Sequence, residues 1–215
     1  MSGTLAVLLA GLLGLPAGWL ARVAASCCRR REVGGRLPLL EAVMGLLWAL
    51  VARRLWPSHP ASLPAYLALA FLCVVLAITD WQTRLLPNRI TYPAFPLVAV
   101  LLLAASLAEH HLDAMVRALA AAALSGLVFA ALLLVSSGGM GAGDLKFAVT
   151  LGLALGWWDW GTTVAGLVAA FLLGGIAALI AMLTLGVDRT ARLPFGPWLA
   201  VGALLALLTV PSCRP

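Results

Sequence analysis

The stretch Gly138-Gly139-Met140-Gly141-Ala142-Gly143-Asp144-Leu145-Lys146 joins two apolar runs, about 117–136 and 145–158, and its reading decides the fold. Four glycines and a carboxylate stand where one hydrophobic segment stops and the next begins. The same pattern of apolar run and short polar joint continues in both directions. Runs fall at about 4–24, 38–55, 62–79, 90–108, 117–136, 145–158, 161–186 and 195–211. A helix needs roughly 20 residues to cross about 30 Å of hydrocarbon. The pattern therefore predicts an all-α polytopic membrane protein, a bundle of about eight transmembrane helices. The second and sixth runs are short and the second contains Glu41, so seven spans plus an interfacial segment is the alternative. No internal repeat or soluble domain interrupts the series, and residues 1–215 read as a single transmembrane domain.

Composition agrees. With 63% hydrophobic residues, 10% charged residues and a mean hydropathy of +1.07, the chain has too little polar surface to coat a soluble globule. Its expected solvent partner is the lipid bilayer. The net charge of +6 resides in short joints and forms no contiguous stripe, which argues against nucleic acid. The Thr4–Leu20 run has no basic leading region and is followed by arginines, so it reads as a first span and not as a cleavable targeting segment. Cys27, Cys28, Cys73 and Cys213 lack metal-type spacing; neither a disulfide framework nor a metal is expected. Pro60, Pro64, Pro93, Pro96 and Pro194 fall near run boundaries, where a helix start tolerates proline.

Alternating the spans sorts the basic residues. Arg22, Arg29, Arg30, Arg31, Arg36, Arg84, Arg89, Lys146, Arg189 and Arg192 share one face, against Arg53, Arg54, Arg117 and Arg214 on the other. The positive-inside rule puts the first group in the cytoplasm and the N-terminus outside. Trp157-Trp158-Asp159-Trp160 then falls on the outer face and reads as an interfacial aromatic belt.

A second acid shares the cytoplasmic face with Asp144. Asp80 ends the third run in Ile78-Thr79-Asp80-Trp81-Gln82-Thr83-Arg84-Leu85-Leu86-Pro87-Asn88. Taken singly, each has an ordinary reading: Asp80 as a solvated interfacial acid, Asp144 as the N-cap of the following helix. Their conjunction with glycines that let a backbone approach a ligand closely points to chemistry. Peptide hydrolysis needs a base for the attacking water and an acid for the departing amine. Two carboxylates sharing one proton supply both. Base and acid belong to the pair and are assigned to neither residue. Lys146 has two readings, orienting an acid or substrate and snorkelling at the interface. His59, His110 and His111 fall in joints on the opposite face, too far to build a serine triad, and the His110-His111 pair reads as a surface loop.

At these residues a family resemblance emerges. Gly141-Ala142-Gly143-Asp144-Leu145-Lys146 resembles the GxGDxK element of the type IV prepilin peptidases, and Asp80 with Leu86-Pro87-Asn88 resembles their first catalytic motif. Leu37-Pro38-Leu39-Leu40-Glu41, Gly14–Arg22 and Leu193-Pro194-Phe195-Gly196-Pro197 are similar to three further elements, in family order. The resemblance implies an intramembrane aspartic endopeptidase with Asp80 and Asp144 as the catalytic dyad and Gly141, Gly143, Lys146 and Glu41 in substrate-binding or supporting roles. No cofactor is implied. Implied partners are a prepilin or pseudopilin leader peptide and its apolar N-terminal helix, cut at the cytoplasmic face of the inner membrane. Longer members carry a cytoplasmic domain with two CxxC pairs associated with N-methylation; here 26–37 is a shortened loop without them. An ion- or proton-coupled membrane transporter, or a catalytically silent pilus or secretion assembly platform, fits the same hydropathy.

Overall fold

The computed structural model describes residues 3–27, 39–135, 141–185 and 194–211. Eight α-helices occupy them: α1 (Gly3–Cys27), α2 (Leu39–Leu55), α3 (Leu63–Thr83), α4 (Asn88–Ala108), α5 (Leu112–Val135), α6 (Ala142–Trp158), α7 (Trp160–Leu185) and α8 (Gly196–Thr209). A short 3-10 turn, Pro60–Ser62, leads into α3. The chain is an all-α polytopic membrane protein. Five helices, α1, α3, α4, α5 and α7, are long and apolar enough to cross a bilayer by length and composition. Leu12, Leu127, Leu134, Leu172 and Leu183 are among many large apolar side chains left exposed on these helices, as lipid contact allows.

The short sixth run becomes the buried helix of the bundle. Every residue of α6 from Leu151 to Trp158 is buried, which a helix apolar on all sides achieves only inside a bundle. Glycine makes the packing close. A Cβ at Gly152 would fall 2.8 Å from that of Ser125, and one at Gly156 would meet the Cβ of Ala121 and stand 3.3 Å from the Arg117 carbonyl oxygen. Backbone replaces side chain at these contacts, as small residues permit between membrane helices. On the far side of the molecule, Gly14 and Gly18 let α1 press against α2 at Gly45 and Glu41 in the same way.

One end of α6 is pinned by polar contacts. Arg117 donates to the carbonyls of Gly156, Trp157 and Trp158 at 2.9, 2.7 and 3.2 Å, occupying acceptors that the helix end leaves free. The Trp157 indole donates to Ser106 Oγ at 2.7 Å, and Tyr66 donates to the Ala154 carbonyl at 2.8 Å. Trp157 and Trp158 are therefore core residues. The sequence reading as an interfacial belt is wrong for both, because their rings fill space between α6, α3 and the joint before it; Trp160 is exposed.

His59 departs from a simple loop reading too. It is buried, its Nδ1 lies 2.8 Å from Glu109 Oε2, and it meets Trp157 and Trp158 edge to face. Of the His110-His111 pair, His110 is exposed. Other boundaries shift with packing. α5 starts at Leu112, so Arg117 is helical and not in a joint, and Pro93 and Pro96 lie inside α4. α1 runs on to Cys27, past the expected start of the loop at Ser26. The readings on Cys28, Arg29, Arg30, Arg31, Arg36, Pro38, Gly138, Gly139, Met140, Arg189, Arg192, Leu193, Cys213 and Arg214 lie outside the described residues.

The packing of α6 can be tested on two glycines. Gly156→Val drives a side chain into Ala121 and is expected to cost about 1–3 kcal/mol. Gly175, where an added Cβ would meet nothing within 4 Å, serves as control: Gly175→Val should unfold at the wild-type temperature. Thermal unfolding in detergent, followed by circular dichroism, checks both.

Candidate active site

Asp80 occupies the last turn of α3, and Asp144 the first turn of α6. Both are buried, 4% and 8% exposed, so neither is the solvated interfacial acid that hydropathy alone allows. α3 closes on Arg84, whose backbone is left-handed (φ 53°) and whose N–H donates to the Asp80 carbonyl at 2.7 Å. α4 then begins at Asn88, with Pro87 before it.

Two contacts bring α6 to this turn. A Cβ on Gly143 would stand 2.6 Å from Leu86 Cβ and 3.3 Å from its carbonyl oxygen, so the glycine admits the connector itself. Lys146 Nζ donates to Asn88 Oδ1 at 2.8 Å and lies 4.1 Å from the centre of the Tyr92 ring. The first turn of α6 is thus fastened to the joint that follows Asp80.

Each carboxylate is held by a backbone N–H at a helix start. Asp144 is residue N3 of α6, not its N-cap: Oδ2 accepts from Gly141 N–H at 3.1 Å, while Asp144 N–H donates to the Gly141 carbonyl at 3.0 Å. Its Oδ1 is buried and has no hydrogen-bond partner among the described residues. Asp80 Oδ2 accepts from the N–H of Gly196, at the start of α8, at 2.8 Å. A Cβ at Gly196 would fall 2.9 Å from that oxygen and force the carboxylate to shift. Phe195 fixes the helix start from the other side, packed against Phe171 and Phe129 with ring centres 5.2 and 6.2 Å away.

The residues singled out by sequence separate into three groups. Asp80, Asp144, Gly141 and Gly143 lie at one end of the bundle. Lys146 joins α6 to α4 and forms no ion pair with either aspartate among the described residues. Glu41 pairs with Arg22 at 2.6 Å across the α1–α2 contact, a brace between those helices. Gly196 and Asn88 were not singled out as site residues, although both lie in quoted elements; their role rests on contacts 116 and 58 residues away along the chain.

The model of the type IV leader peptidase family matches residues 67–184, more than half the chain. The chain belongs to that family. Among curated relatives, the prepilin leader peptidase/N-methyltransferase of Bacillus subtilis (strain 168) is 33% identical over 177 residues, covering 80% of this chain and 65% of that protein. Its namesake in Pectobacterium carotovorum subsp. carotovorum is 31% identical over 192 residues, 88% of this chain and 66% of the relative. That of Escherichia coli (strain K12) is 30% identical over 160 residues, 74% and 69%. The chain spans just under two thirds of the length of the first two relatives. No solved structure matches it.

The close fit of Gly196 against Asp80 gives a double-mutant test. Gly196→Ala alone is expected to cost about 1–3 kcal/mol of stability by forcing the carboxylate aside. In an Asp80→Ala background the same change should be near neutral. Equal costs in both backgrounds, measured by unfolding in detergent, would show that the two residues do not press on one another.

Proposed function

We propose that this protein is an intramembrane aspartic endopeptidase that removes the short basic leader from prepilin-like substrates. Asp80 and Asp144 act as its water-activating pair. The observation that carries the reading is the placement of two buried carboxylates at one end of a membrane bundle, Asp144 beside the Gly143 that packs on the joint following Asp80, in a member of the type IV leader peptidase family. The names of the relatives support the substrate class. On this reading residues 1–215 form one peptidase domain, in the inner membrane, with the N-terminus outside and the acids toward the cytoplasm, as the distribution of basic residues favours.

The arrangement suits hydrolysis. Like charges at close range disfavour joint ionisation, so the pair holds one proton between two carboxylates. The ionised partner takes a proton from water as it attacks the scissile carbonyl, and the protonated partner delivers one to the leaving amine. Asp144 Oδ1 is the oxygen best placed for this work, since Oδ2 is already held by Gly141. Gly141 and Gly143 serve by close approach of backbone, Lys146 by locking α6 to α4, and Glu41 by bracing α2 against α1.

Asp80→Asn and Asp144→Asn should each lower leader removal at least ~10²-fold while leaving membrane insertion intact, because an amide neither takes nor gives the proton. Co-expression with a prepilin and the size of the product on a gel provide the readout; normal cleavage by either variant refutes the dyad.

Orientation and methylation have separate readouts. Cys27 and Cys28 should react with a membrane-impermeant thiol reagent only after cells are opened. Cleavage should also proceed without S-adenosylmethionine and in the presence of strong chelators, with no methyl group added to the new N-terminus, since the 26–37 segment contains no CxxC pair. Mass spectrometry of the processed product decides the last point.

A further inference from the structure

α2 and α8 both pack on α3 but scarcely on each other. The space between them is an apolar groove of about 310 Å³ with α3 as its floor. Leu46 and Leu50 of α2 and Val201 of α8 stand along its sides, while Cys73, Ala77 and Ala200 line the deeper part.

Its register relative to the site is what distinguishes it. Ala77 precedes Asp80 by three residues on α3, and Ala200 follows Gly196 by four on α8. At a rise of about 1.5 Å per residue, the groove opens roughly 5 Å from Asp80 and reaches Cys73 roughly 10 Å away. It therefore runs along α3 from about one turn before Asp80 toward the middle of that helix. The larger cavity, about 500 Å³ beside Gly3, Arg53 and Trp56, sits at the opposite end of α2 and has no such connection.

We propose that this groove seats the first two turns or so of the substrate's apolar helix, immediately beyond the bond that is cut. The proposal rests on the peptidase reading above and deepens it by naming where the membrane part of the substrate binds. A substrate with a polar leader and an apolar helix needs both halves held across one point. The groove supplies an apolar track that begins one helical turn from Asp80, and its small floor residues let a helix backbone come near, as close packing between membrane helices requires. Leu46 and Val201, 63% and 41% exposed, are the walls such a helix would cover.

Photo-cross-linking tests it. p-Benzoylphenylalanine is placed singly at Leu46, Val201, Leu127 or Leu172 in full-length Asp144→Asn protein and reconstituted with intact prepilin in phospholipid vesicles. Leu127 and Leu172 are exposed on α5 and α7, away from the groove. Adducts with the prepilin helix are expected from Leu46 and Val201 at about tenfold the yield from the two control sites. Equal yields at all four sites, or lipid adducts alone at Leu46 and Val201, overturn the proposal. In the enzyme with both aspartates, Leu46→Trp and Val201→Trp should raise KM for prepilin about tenfold with a smaller change in kcat, while Leu127→Trp and Leu172→Trp change neither. Unaltered KM in the first two variants also counts against the groove. Cleavage of the same prepilin by unsubstituted protein reports on the peptidase reading separately: its absence removes both proposals, and its presence with uniform cross-linking removes only this one.

Discussion

A carboxylate withdrawn from water needs donors, and both aspartates obtain theirs from the free N–H groups at helix starts. Gly196 at the head of α8 serves Asp80, and Gly141 at the head of α6 serves Asp144. The positive end of each helix dipole adds to the hydrogen bond and offsets part of the cost of burial. The arrangement draws three helices to one point. α3 brings Asp80, α6 brings Asp144, and α8 must approach Asp80 near enough for a backbone bond. Glycine suits that place because an added Cβ would press on the carboxylate.

Position at this end depends on packing at the other. α6 is held at its C-terminal end by Arg117, Tyr66 and the Trp157–Ser106 bond, and along its length by Gly152 and Gly156 against α5. A helix fixed at its far end and along one face delivers its first turn to a defined place. The joint after α3 completes the alignment through Leu86 against Gly143 and Asn88 to Lys146. Lys146 ties α6 to α4, and Glu41 ties α2 to α1. The two ends also divide the polar residues: acids meet at one, and His59, Glu109 and Arg117 are used as internal ties at the other.

Much of this was legible in the chain alone. Runs of about 20 apolar residues can be solvated only by lipid or by one another, so the helix count and fold class follow from hydropathy. Asp80 and Asp144 stand out because charged residues are rare in such a sequence, and two spans between them place both on one face. The GxGDxK and PFGP-like elements could be read as motifs, but their physical purposes could not. Gly143 reads as a place where backbone approaches a ligand, whereas the structure packs Leu86 against it, and Gly196, legible only as part of a family-like element, is a donor to a residue far away in sequence.

The errors share one cause. Hydropathy reports how apolar a segment is and not which neighbours cover it, so Trp157 and Trp158 read as a lipid-interface belt though both are buried against His59, which does stand in a joint but is covered there. The sequence by itself determined the helices, the membrane setting and the pair of acids, since these depend on local composition and on counting spans. The tertiary structure alone decided that α6 lies inside the bundle, that Gly196 holds Asp80, that Asn88 receives Lys146, and that an apolar groove opens between α2 and α8. Each of these is a contact between segments distant along the chain, set by the shapes of facing helices, and no single stretch of residues carries it.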